Sequence, residues 1–127
     1  MLYTVETNKA LDVVCTDLQQ AVTQHQFGVM SVHNLKETMA KKGVDFGPEC
    51  RIFEICNPHQ AKRVLEQQMG ISTALPCRIS VYEEGGKVKL STMKPTAMMQ
   101  VFEGDALQVV AQEVETAILE MMDEAVR

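Results

Sequence analysis

Short alternating runs and longer three-to-four-residue repeats take turns along this chain. Leu2-Tyr3-Thr4-Val5 is rich in β-formers and predicts a strand. From Asn8 to about Gln26, Leu11, Val14, Cys15, Leu18, Ala21, Val22 and His25 recur at i, i+3, i+4, i+7 spacing, which predicts a helix with one buried stripe. Thr7 or Asn8 is placed to cap its first turn. Phe27 to His33 predicts a second strand. Asn34-Leu35-Lys36-Glu37 carries the capping-box spacing and opens a short helix, with Leu35 and Met39 inward and Gly43 at its end. Val44 to Pro48 is a loop by its Gly and Pro content.

Cys50 to Cys56 predicts a third strand whose imperfect alternation (Ile52, Phe53 and Ile55) suits a strand buried on both faces. Asn57-Pro58 is a helix start, with Asn as cap and Pro at the first helical position. Its stripe is Ala61, Val64, Leu65 and Met69, Gly70 is the stop, and Ile71 follows as the hydrophobic contact. After a connection over Ser72–Pro76, Arg78–Tyr82 and Val88–Thr92 predict two strands joined by a turn over Glu83–Lys87. Met93 to Phe102 is rich in methionine. Asp105 with Gln108 repeats the capping-box pattern ahead of a long last helix with Leu107, Val110, Ala111, Val114, Ala117, Ile118, Met121, Met122 and Ala125 inward. The expected fold is α/β of the α+β type. It is a two-layer sandwich with helices on a mixed sheet of about five strands, in the order β-α-β-α-β-α-β-β-α.

At 127 residues with no repeat, linker or composition shift, a single domain over 1–127 is expected, long enough for one core without a disulfide or metal staple. The net charge of -5 and the scattered Lys and Arg, never more than two in a row, argue against nucleic acid as a partner. No apolar run approaches the roughly 20 residues of a membrane span, and no secretory signal is visible, so no membrane partner is expected. Without an export signal the expected location is the cytoplasm, where Cys15, Cys50, Cys56 and Cys77 stay reduced. Cys15 belongs to the first helix's stripe and reads as core.

Chemistry has three candidate places. Cys56 ends a strand directly before a helix cap, where the helix N-terminus can lower a thiol's pKa. His59, on the first helical turn, could serve it as base or co-ligand. Cys77 enters a strand beside Arg78. A helical crossover favours parallel strands three and four, which would put Cys56 and Cys77 at opposite ends of the sheet, whereas an antiparallel pair would bring them together. Met93, Met98 and Met99 offer thioethers that suit Cu(I) or an apolar ligand, or serve as adaptable core filler. His25 and His33 carry no assignable role, and no common nucleotide-binding, hydrolase, metalloprotease or calcium motif occurs.

Gly28 with its strand, Gly43-Val44-Asp45-Phe46, Ile55-Cys56-Asn57-Pro58, Leu75-Pro76-Cys77 leading into Val81-Tyr82-Glu83, and Met93-Lys94-Pro95 with Met98 together resemble the bacterial and archaeal family called domain of unknown function 302. The resemblance runs from about Phe27 to Met99, and the last helix fits it. It implies a two-layer α/β fold and a homodimer, with no established activity. It marks Cys56, Asn57, Pro58, Pro76 and Cys77 as motif positions without assigning them a catalytic role. Three functions stay open: a homodimeric structural or regulatory domain without chemistry, a thiol-based module that binds or carries a small sulfur-containing or electrophilic species on Cys56, and a metal or haem site built from Cys56, His59, Cys77 or Met93. An ordinary hydrolase or oxidoreductase is not expected.

Overall fold

The structure, a computed structural model, describes residues 1–127. Its elements are β1 (Leu2–Thr7), α1 (Leu11–Gln24), β2 (Gly28–Asn34), α2 (Leu35–Lys41), β3 (Cys50–Cys56), α3 (Pro58–Gln67), a 3-10 helix (Met69–Ala74), β4 (Cys77–Glu84), β5 (Lys87–Met93), α4 (Pro95–Met99) and α5 (Asp105–Ala125). The five strands form one sheet in the order β1-β5-β4-β3-β2.

The two-layer α/β arrangement and the five strands match the expectation from the sequence, but the sheet is antiparallel throughout rather than mixed. The connection from β3 to β4 explains the difference. Helix α3 carries the chain about 15 Å outward, and the six-residue 3-10 helix, packed against α3, brings it about 12 Å back. The helices therefore form an excursion that returns to its origin, not a crossover. Cys77 at the start of β4 falls opposite Ile55 at the end of β3. Gly85 and Gly86, with φ of +63° and +76°, make the tight turn between β4 and β5 that only residues at ease in the left-handed region take without strain.

Alternation along the strands sorts the sheet into two faces. Phe53, Ile55, Ile79, Val81, Val88 and Leu90 point toward α1 and α5 and are buried. Leu11, Val14, Cys15, Leu18, Ala21 and Val22 of α1 meet them, as the helical spacing indicates. The other face stands open. Cys50, Ile52, Ser80 and Tyr82 are half-buried there, and a hydroxyl chain runs from Thr4 through Ser91 (2.8 Å) to Tyr82 (2.7 Å). Strand β3 is thus buried on one face only, not two. A second, smaller core of Val64, Ile71, Met99, Leu107, Val110 and Ala111 lies between α3, the 3-10 helix, α4 and α5.

Helix starts differ in their chemistry. Asn34 caps α2 by accepting the Glu37 N–H, and Asn57 caps α3, both as expected. Neither Thr7 nor Asn8 caps α1, whose cap position is Ala10, and Asp105 sits inside α5 behind Gly104, so the second capping box does not form. Helix α3 ends at Gln67, before Gly70, because the chain tightens into the 3-10 turn. Ile71 is then buried completely while Met69, expected inward, points out at 72% exposure. Helix α2 buries none of its residues, Leu35 and Met39 included.

Candidate functional site

The two cores do not close on each other. Between them, at the end of the sheet where β3 finishes and β4 begins, lies a cleft with about 50 Å³ of free volume. Ile55, Cys56 and Cys77 line it from the sheet, Ala61 and Val64 from α3, and Val110 from α5. Phe27, Leu75, Pro76, Pro95, Met99, Ala111 and Val114 complete an almost wholly apolar wall, with Asn57 and Gln60 as the polar side chains at its rim. The Gln60 amide donates to Glu113 at 3.2 Å, and Arg63 holds the same carboxylate at 2.7 Å, which ties α3 to α5 across the mouth.

A second cleft, with about 120 Å³ of free volume, adjoins the first through Leu75, Pro76, Cys77, Pro95 and Met99. Met93, Met98, Arg78 and Thr92 belong to this one alone. Cys77 therefore faces both.

Antiparallel pairing brings Cys56 and Cys77 to the same cleft, against the expectation of opposite ends. The expectation of an acidified Cys56 is also reversed. Burial pushes the Cys56 thiol up from its ordinary range. Burial, with a contribution from the neighbouring Cys56, pushes Cys77 up to about 11, against a weaker opposing pull from Arg78. The helix N-terminus does not rescue Cys56 because Asn57 takes its free N–H groups. The Asn57 Oδ1 accepts from His59 N at 3.0 Å and from Gln60 N at 3.3 Å. Both thiols are neutral at physiological pH, and desolvation is the cause.

His59 is not a partner of Cys56. It is exposed on the first turn of α3 and lines neither cleft. Pro58 is exposed at the first helical position, where its fixed φ and missing N–H suit the helix start. Met93 is half-exposed at the rim of the second cleft. A haem does not fit: the free volumes fall well below the roughly 300–1,000 Å³ of sites for molecules of that class, and the one histidine near Cys56 is turned out. The remaining wall residues, Val64, Val110, Ala111 and Val114, read in the sequence as ordinary helix stripes. Nothing in their periodicity says that these stripes leave a cleft where they meet the end of the sheet.

Across its length from residue 3 to residue 125 the chain matches the family model described as Domain of unknown function DUF302. It is similar to a solved structure described as an uncharacterized conserved protein DUF302 from Bacillus stearothermophilus, with 31% identity, a TM-score of 0.93, and coverage of 99% of this chain and 98% of that one. No functionally curated protein matches it. No helix is long and apolar enough to cross a membrane.

Proposed function

Since the chain belongs to the domain of unknown function DUF302 family, whose name assigns no activity, we propose from the geometry that it is a binding domain for a small apolar molecule held in the cleft at the β3–β4 end. One observation carries this reading: an open, apolar cleft lies between two otherwise close-packed cores, with two polar amide side chains at its rim. Protein interiors seldom leave such space unfilled, and an apolar wall with few convergent polar groups is the usual form of a small-molecule site. The neutral thiols favour non-covalent binding over a carrier thiolate on Cys56. The free volume suits a ligand, or one end of a ligand, of a few non-hydrogen atoms.

The test is a titration of the ¹³C-methyl-labelled protein with 1-butanol, followed by NMR. Saturable shifts at Ile55, Val64 and Val110 are expected, with a Kd on the order of 1 mM for so small a probe. The cleft-filling variant Ala61→Leu removes them. Shifts that never saturate, or that survive in Ala61→Leu, would overturn the reading.

A second element of the reading is a cytoplasmic homodimer joined through the open sheet face. It is favoured by the half-buried row Cys50, Ile52, Ser80 and Tyr82 around Ser91, a mixed apolar and hydroxyl surface in which Ser91 is only 7% exposed. Sedimentation equilibrium should show a dimer at micromolar concentration, and Ser80→Arg should give a folded monomer. A wild-type monomer under those conditions would exclude it.

A further inference from the structure

The second cleft has a composition of its own. Four sulfur side chains line it, those of Cys77, Met93, Met98 and Met99, and its other polar residues are Arg78 and Thr92. Both of these are engaged elsewhere. The Thr92 hydroxyl donates to the Arg78 carbonyl at 2.7 Å, and the Arg78 guanidinium pairs with Glu54 at 3.3 Å. Beside the apolar wall of Ala74, Leu75, Pro76 and Pro95, the donors that remain to meet a guest are the sulfur side chains.

We propose that this cleft binds a monovalent soft metal ion, Cu(I), with the Cys77 thiolate and the thioethers of Met98 and Met99 as donors and Met93 at the rim.

Donor chemistry selects the ion. Thiolate and thioether ligands favour Cu(I), whereas Mg²⁺, Ca²⁺ and Mn²⁺ require oxygen. Zinc sites are built from thiolates, imidazoles and carboxylates rather than thioethers. Here the lining holds one thiol, no histidine and no carboxylate. Charge selects the same ion. A single thiolate with Cu(I) is neutral overall, which an apolar wall tolerates, while a divalent ion would leave a buried net charge. As the Cys77 sulfur bonds the metal, the thiol proton leaves to solvent. Copper stays in the +1 state, and no oxidant or reductant takes part.

Cys77 starts β4 and Met98 and Met99 lie on α4, while Met93, which ends β5 on the opposite face of the sheet, reaches the cleft only at its rim. The Glu115 carboxylate anchors α4 by accepting from the Thr96 N–H at 3.1 Å and the Thr96 hydroxyl at 2.7 Å. Met99 is buried and Met93 is half-exposed, so the site has a closed back and an open front through which an ion can pass. This assignment is independent of the ligand reading for the first cleft, apart from the wall the two share, which includes the donors Cys77 and Met99.

The experiment is an anaerobic titration of the reduced full-length protein with Cu(I) held by a bicinchoninate competitor, with X-ray absorption on the loaded protein. One Cu(I) per chain is expected, in a shell of sulfur that includes more than one donor. Cys77→Ser should weaken binding by about 100-fold or more, since even outer partners of metal ligands contribute 10–100-fold. The double variant Met98→Leu/Met99→Leu, which conserves volume, should weaken it by at least about 10-fold and serves if Cys77→Ser fails to fold. Cys50→Ser should change nothing. A wild-type protein that cannot compete for Cu(I) would overturn the proposal. So would binding that survives in the double Met variant but is lost in Cys56→Ser, which would place the ion on the two thiols of the first cleft. The 1-butanol titration reads the first cleft without metal, so failure of one site leaves the other testable.

Discussion

Ile55 and Cys77 stand opposite each other in the antiparallel ladder of β3 and β4, and this pairing assembles the candidate site. It sets the end of one motif, Ile55-Cys56-Asn57-Pro58, against the start of the other, Leu75-Pro76-Cys77. The two segments are separated in sequence by α3 and the 3-10 helix, yet share one cleft because that connection returns the chain to its origin.

The shared cleft determines how the thiols behave with pH. Burial disfavours the thiolate of Cys77, so the native protein holds that proton to about 11, above the ordinary 9.0. Across this window the folded state binds more protons than the unfolded one, so the stabilisation is complete below about 9 and is lost as the pH rises toward about 11. Alkylation of native protein by iodoacetamide should therefore be slow at neutral pH at both cleft cysteines and accelerate steeply in alkali. Urea midpoints should fall across the same window and fall less in Cys77→Val. Rapid modification of Cys77 at neutral pH in the folded protein would show that the thiol is not desolvated.

Asn57 has two tasks at the cleft rim: it caps α3 and it keeps the helix N-terminus from acting on Cys56. Asn57→Ala should cost about 1 kcal/mol of unfolding free energy, and Asn57→Asp should restore most of it. Urea denaturation measures both. Equal stability of wild type and Asn57→Ala would mean that the cap bonds contribute nothing net.

Edge strand β1 is tied to the last helix by the Tyr3 hydroxyl, which donates to Asp123 at 2.6 Å. The bond to this carboxylate, with burial and the carboxylate charge adding to it, raises the Tyr3 pKa above its usual value. Tyr3→Phe should destabilise the protein by about 1 kcal/mol. In a spectrophotometric titration, Asp123→Asn should return Tyr3 toward ordinary ionisation.

Glu115 positions α4 rather than touching the clefts. Removing it strips two hydrogen bonds from the start of a five-residue helix that is too short to persist alone. Glu115→Ala should cost about 1–2 kcal/mol and increase amide exchange at Met98 and Met99 more than at Val64. Uniform exchange across the chain would indicate global loosening instead.

Most of the elements were legible in the sequence because they rest on local physics. The α1 stripe from Leu11 to Val22, the Asn34 and Asn57 caps, and the turn at Gly85-Gly86 each depend on residues within a few positions of one another. Strand direction was not legible, because it depends on where a helix and a 3-10 turn leave the chain, and a connection that returns has the same periodicity as one that crosses. A parallel pairing would separate Cys56 from Cys77, and the antiparallel ladder joins them in one cleft. The direction of the thiol pKa is hidden from the sequence for a related reason. A helix N-terminus is visible in the sequence, whereas the burial that outweighs it depends on tertiary packing around the cleft. The structure places Cys56, Asn57, Cys77 and Met93 along the clefts and His59 away from them.

The most direct measurement is a crystal structure of the protein under xenon pressure, since xenon enters apolar cavities without needing a polar partner. Xenon should occupy the first cleft in contact with Ile55, Val64 and Val110, and should be absent there in Ala61→Leu. Xenon found only at other places, or a wild-type cleft closed by the side chains around it, would contradict a ligand site between the two cores.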